Sequence, residues 1–189
     1  MKKLRVTYNS PVILTFAFIS LASLILGYIT GGASTALLFT VYRSSLLDPL
    51  FYLRLFTYVL GHADFAHFIG NITLMLVIGP AMEEKYGSKP LLKCIFITAL
   101  AAGLVQVIFL PNTGLLGASG IVFMLIILSS LGSFRDGEIP LTLILVTVFY
   151  IGGEILDGLF VKDNVSQLTH IVGGLCGGAF GFLSKKGRV

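Results

Sequence analysis

The sequence predicts an all-α, polytopic membrane protein of six transmembrane helices, folded as a single domain over residues 1–189. Three observations predict it. The chain is 56% hydrophobic and only 12% charged, with a mean hydropathy of +0.95, whereas a soluble domain carries about 25% charged residues. Its apolar residues gather into runs near the ~20 residues that cross a bilayer as a helix. Its basic residues sit near the ends of those runs, as topology signals do.

The expected spans are residues 11–30, 66–82, 90–110, 115–134, 140–158 and 168–184. Pro11, Pro90 and Pro140 fall where the first helical position is expected, where a missing N–H does no harm. The first run follows Lys2, Lys3 and Arg5 but is too long for a cleaved signal peptide, and no soluble mature domain follows it. Between the first two runs lies a long connection, 31–65. Asp48 can cap a helix there with Pro49 at its first position, and Leu50, Leu53, Phe56 and Leu60 recur at roughly helical spacing. An amphipathic helix lying at the outer interface accounts for this pattern; a plain connector is the alternative. No repeat, low-complexity tract or linker divides the chain.

Charge sets the expected orientation. With a cytoplasmic N-terminus, Lys2, Lys3, Arg5, Lys85, Lys89, Lys93, Arg135, Lys185, Lys186 and Arg188 lie inside, and Arg43, Arg54 and Lys162 lie outside. Both termini are then cytoplasmic. The net charge of +4 is modest and signals topology, so no nucleic-acid partner is expected. Cys94 and Cys176 lie in apolar runs and form neither a disulfide framework nor a metal site. No cofactor or metal is expected. Trp is absent, so the seven Tyr must mark the membrane interfaces. A bare six-span core with short tails favours a prokaryotic plasma membrane.

Strongly polar groups inside spans are costly and mark candidate sites. Four stand out: His67 and Asn71 in the second span, Ser119 in the fourth and His170 in the sixth. These spans run in the same direction, and all four residues lie near their outer ends, so they share one depth. Each has a bland reading. A lone membrane Ser ordinarily bonds its own helix, a lone buried His ordinarily packs, and Asn71 can simply tie helices together. His62, in the loop just before, reads as structural or interfacial. The argument rests on the coincidence of depth. Gly173, Gly177 and Gly181 recur every four residues, and Gly117 and Gly120 flank Ser119. Small-residue faces let helices approach closely. If these faces meet, Ser119 and His170 come within reach of each other, the minimum for nucleophilic catalysis. Free N–H groups at the start of the helix, that of Ser119 included, can then face a developing oxyanion. His67 and Asn71, four apart on one face, can add donors.

These residues carry a resemblance. Gly117-Ala118-Ser119-Gly120 resembles the GxSG motif of rhomboid intramembrane serine proteases. His67 to Asn71 resembles that family's HxxxN motif, and His170 to Gly177 its HxxGxxxG pattern. The resemblance runs from about Arg54 to Gly181 and implies a rhomboid-like bundle. It implies Ser119 as nucleophile, His170 as general base and acid, and His67, Asn71 and the Ser119 N–H as oxyanion donors. It also implies a partly embedded first outer loop, a mobile fifth span and a cap before the sixth. The chain departs from the family pattern twice. Leu53-Arg54 stands where Trp-Arg is common, and Phe123 stands where Tyr packs on the catalytic His. The function so implied is hydrolysis, through a Ser–His dyad, of peptide bonds in or near transmembrane segments of other proteins, at a site open to the outer face. The alternatives are an inactive rhomboid-like protein that binds transmembrane clients and a small transporter or proton relay. The last usually needs intramembrane carboxylates, whereas Glu83, Glu84, Glu154 and Asp157 sit at span ends.

Overall fold

The computed structural model describes residues 6–131, 141–146, 148–149 and 167–186. The expectations on Lys2, Lys3, Arg5, Arg135, Pro140, Glu154, Asp157, Lys162 and Arg188 lie outside the described residues. So do the cap before the sixth span and residues 147 and 150–158 of the expected mobile fifth span.

Among the described residues the architecture is helical, with no strand beyond one isolated bridge. The order is α1 (Pro11–Ile29), α2 (Ala33–Leu38), α3 (Pro49–Thr57) running into a 3₁₀ turn (Tyr58–Leu60), α4 (Phe65–Tyr86), α5 (Ser88–Phe109), α6 (Ser119–Ser130), α7 (Leu141–Val146) and α8 (Gln167–Lys186). Three of these, α1, α4 and α5, are long and apolar enough to cross a membrane. Among the described residues, then, three of the six expected spans meet that length and composition. Helix α6 has 12 residues, and Gln167, Thr169, His170 and a run of glycines dilute the hydropathy of α8. The helices cover the bilayer-facing side with apolar residues such as Phe18, Ile25, Val77 and Ile108, all exposed.

Two expectations need correction. The fourth helix starts at Ser119, four residues later than position 115. Leu115 instead pairs with Val41 through reciprocal backbone bonds of 2.8 and 2.9 Å, and Gly117 takes a positive φ of 121° that ends any helix there. Pro90 is the third residue of α5, because Gly87, also at positive φ, lets the chain turn early and α5 begin at Ser88.

The first outer loop is a structured element. Asp48 caps α3, its carboxylate accepting from Leu50 N at 2.9 Å, and Pro49 opens the helix. Leu53 and Phe56 of the expected apolar stripe are exposed. The inward face is Phe51, Arg54, Leu55 and Tyr58. Arg54 is 1% exposed. It bonds Asp48 Oδ2 at 2.7 Å and Ser44 Oγ at 2.9 Å, and lies 4.4 Å over the Tyr42 ring. The pairing with Arg54 holds the Asp48 carboxyl below its ordinary range.

Helix α6 runs through the middle of the bundle. Every residue from Ile121 to Leu128 is buried, so the helix is apolar all round, as a surrounded helix must be. Helix α8 lies against it, backbone to backbone at two of its glycines. A Cβ at Gly173 would overlap the Gly120 carbonyl, and one at Gly177 the Met124 carbonyl. At the opposite end from the Ser119 tip, the Glu83 carboxylate takes Val12 N at 2.9 Å, Ile13 N at 3.1 Å, and the hydroxyls of Ser88 at 2.7 Å and Ser10. It thereby caps α1, whose N-cap Ser10 makes no side-chain cap bond of its own.

Candidate active site

The site forms at one end of the bundle, where α4, α6 and α8 all begin. Asp64 caps α4 by accepting from His67 N at 2.8 Å, which fixes the first turn and the register of His67 and Asn71. Ser119 is the first residue of α6, so its N–H has no partner within the helix. His170 is in the first turn of α8.

The close α6–α8 packing brings two of the four candidates into direct contact. Ser119 Oγ and His170 Nε2 are 2.7 Å apart. The His170 ring is 7% exposed, and Phe123, one turn beyond Ser119, lies flat on it with ring centroids 4.5 Å apart and planes 6° apart. Stacking of this kind limits rotation of the imidazole. Thus Phe123 occupies the place expected for a ring on His170.

The other two candidates face the loop before Ser119. A Cβ on Gly117 would lie 2.7 Å from His67 Nε2 and 3.8 Å from Asn71 Nδ2. Because residue 117 is glycine, the His67 ring can pack directly on its backbone, with Asn71 close by. Asn71 Nδ2 is buried and finds no hydrogen-bond partner among the described residues. A buried orphan donor is costly unless something visits it. The Gly114–Gly117 loop is itself stitched to the first outer loop. Leu115 pairs with Val41, and Gly117 N donates to Tyr58 O at 3.0 Å. Tyr58 Oη in turn donates to Ala99 O on α5 at 3.1 Å. The first outer loop therefore holds the backbone that precedes Ser119.

A family model described as Rhomboid domain matches residues 50–186, most of the chain and all four candidate residues, His67, Asn71, Ser119 and His170. The chain belongs to the rhomboid family. Three relatives give the range of likeness. Rhomboid-related protein 2 of Mus musculus is 30% identical over 142 residues, 68% of this chain and 47% of the relative. Rhomboid-related protein 1 of Caenorhabditis elegans is 29% identical over 139 residues, 69% of this chain and 39% of the relative. Rhomboid protease GluP of Bacillus subtilis (strain 168) is 28% identical over 183 residues, 91% of this chain and 34% of the relative. The rhomboid chain thus spans less than half the length of these relatives. They come from animals as well as a bacterium, so the likeness does not assign it to a prokaryote. Membership and the apolar helices together make it a membrane protein.

Sequence reasoning missed two features of the site. It took Gly117 as a glycine for helix packing, yet Gly117 has a positive φ and packs against the His67 ring; the signal was its place two residues before Ser119. The structural reading of His62 fits its 2% exposure, but its contact with the site, ring to ring with His67 at 5.1 Å, edge to face, was not foreseen. Burial pushes the pKa of His62 down to about 4, with the His67 ring beside it adding to the effect. Among the described residues no cluster of three or more His, Cys, Asp or Glu is placed to hold a metal ion.

Proposed function

We propose that this rhomboid is an intramembrane serine endopeptidase that hydrolyses peptide bonds in or near transmembrane segments of other membrane proteins. The observation that carries this reading is the 2.7 Å contact between Ser119 Oγ and His170 Nε2. A Ser hydroxyl is a weak nucleophile until a base takes its proton. With Ser119 donating, His170 Nε2 is the accepting nitrogen, ready to remove that proton as Oγ bonds to the scissile carbonyl carbon. The carbonyl oxygen becomes an oxyanion. In this reading it lies beside Gly117, near His67 Nε2 and Asn71 Nδ2, with the Ser119 N–H, free of a partner within the helix, as a third donor. His170 then passes the proton to the leaving amine nitrogen as the C–N bond breaks. Water attacks the acyl-Ser119 by the same route in reverse and frees the new carboxyl end.

The six-span topology with both termini cytoplasmic belongs to this proposal. It puts the Ser119 end at a shallow depth on the outer side, within reach of water. The substrate strand must leave its helix before Ser119 can reach a carbonyl, because an intact helix uses and shields those groups. Substrates with Gly, Pro or polar residues near the outer interface, and a small side chain at the cut, are the class expected.

The test is cleavage of a single-span reporter in liposomes by the wild-type chain and by Ser119→Ala. The wild type should cut and the variant should not, although the variant loses one hydroxyl and keeps the packing. A reporter that binds yet stays whole with the wild type would leave a client-binding protein. Equal cutting by the variant would remove Ser119 from the chemistry.

A further inference from the structure

The imidazole of His67 makes no hydrogen bond with any described residue; only its backbone N–H is engaged, by Asp64. A donor that is to meet a developing charge needs a fixed direction. Packing supplies it here, from Gly117 and from His62. The Gly117 face leaves 2.7 Å between its missing Cβ and His67 Nε2. The His62 ring meets His67 at 5.1 Å and 71°, and meets Phe68, the next residue, at 5.4 Å and 86°.

His62 is itself held tightly. Its Nδ1–H donates to Leu60 O at 3.3 Å, and Ser23 Oγ on α1 donates to the same carbonyl at 2.6 Å. Gly61 packs so closely on the Phe39 carbonyl that a Cβ would overlap it. The carbonyl of Tyr58 ties both sides of His67 together, accepting from Gly61 N at 3.1 Å and from Gly117 N at 3.0 Å. The turn that carries His62 and the loop that faces His67 thus hang from one oxygen. The Nε2 atom of His62 is buried with no partner among the described residues, which is a cost that ordinary loop packing has no reason to retain. Its low pKa keeps the ring neutral, so it acts on His67 by shape and not by charge.

We propose that His62 is a positioning residue for oxyanion stabilisation: its ring, fixed by the Tyr58–Gly61 turn, holds His67 in the rotamer that aims Nε2 toward Gly117. This rests on the oxyanion role of His67 proposed above.

A double-mutant cycle on reporter cleavage tests it, comparing wild type, His62→Ala, His67→Ala and the double variant, with thermal unfolding in detergent as the check on folding. His62→Ala should lower kcat about 10- to 100-fold, the scale of a misplaced catalytic group, with KM within about twofold. In the His67→Ala background the same change should cost nothing further. Wild-type kcat in His62→Ala overturns the proposal, and so does an equal loss in both backgrounds, which is the mark of a general structural role. If His67→Ala itself cuts at the wild-type rate, the oxyanion reading fails instead, and the two failures are told apart. Should His62→Ala not fold, His62→Leu fills most of the volume without a planar ring and takes its place in the cycle.

Discussion

A methyl group on Gly117 would sit 2.7 Å from His67 Nε2, on a backbone with φ of 121°. The neighbour it strikes is the end of a side chain, so the imidazole moves before the fold does. Gly117→Ala should therefore remove one oxyanion donor. The expected loss in kcat is about 10²–10³, the range for a missing donor, with the protein still inserted and Ser119 still 2.7 Å from His170. Single-turnover cleavage checks the rate, and labelling of Ser119 by a small fluorophosphonate checks that the hydroxyl is intact. A Gly117→Ala variant at wild-type rate would move the oxyanion elsewhere. The four polar residues were legible in the sequence because their chemistry conflicts with their depth. Their supports were not. Neither the conformation of Gly117 nor the burial of His62 leaves a trace in hydropathy, and both depend on the first outer loop folding back over the site.

At the scale of helices, α6 and α8 were expected to approach through their glycines, and they do so with carbonyl oxygens as the opposing surface. That surface cannot yield. Gly173→Val must push α8 from α6 one turn away from His170, and a displacement of about 1 Å is enough to cost ~10² in rate. Gly181 meets the Leu131 side chain, with Cδ1 2.7 Å from a built Cβ, and a side chain can swing aside. Cleavage should therefore fall at least tenfold further for Gly173→Val than for Gly181→Ala, and equal losses would show that helix separation is not the cause. The first outer loop offers a second check. Its Asp48 carboxyl has its pKa lowered by Arg54, so the pairing stabilises the loop fully above the unfolded pKa of about 3.9. That stabilisation is lost as pH falls through the lower folded value. Limited proteolysis of the loop should thus stay flat down to about pH 4 and rise below it, while Asp48→Asn should be sensitive across the whole range. The capping of α3 by Asp48 and Pro49 was legible from residue types alone. Its inward face was not, because a buried arginine takes a place that periodicity reserves for an apolar residue.

Across the whole molecule, the Ser119 end and the Glu83 end differ in kind. The Ser119 end carries an orphan donor, Asn71 Nδ2; at the other end Glu83 satisfies four donors from two segments, the start of α1 and the start of α5. Hydrogen bonds to a charged group contribute about 1.5–3 kcal/mol each. Glu83→Gln keeps the shape and loses the charge. It should lower the thermal midpoint in detergent clearly while leaving the cleavage rate at low temperature within about twofold, since Glu83 lies some 18 Å along α4 from Asn71 at ~1.5 Å per residue. An unchanged midpoint would mean that the bonds merely replace water. The run of α8 was legible at this scale, expected over 168–184 and found over Gln167–Lys186. Hydropathy marks a run that faces lipid, whereas α8 spends its length on glycines and site residues, so its hydropathy falls below that of α1, α4 and α5.

The Glu83 carboxylate also bears on how the chain is made. Helix α1 leaves the ribosome some seventy residues ahead of its own cap. Until α4 arrives, the amides of Val12 and Ile13 have no carboxylate to meet, and until α4 docks on α1 Glu83 lacks three of its four donors. Each defect is the remedy for the other. Docking of α4 on α1 therefore closes both in one step, and a chain in which the two have not met carries both at once.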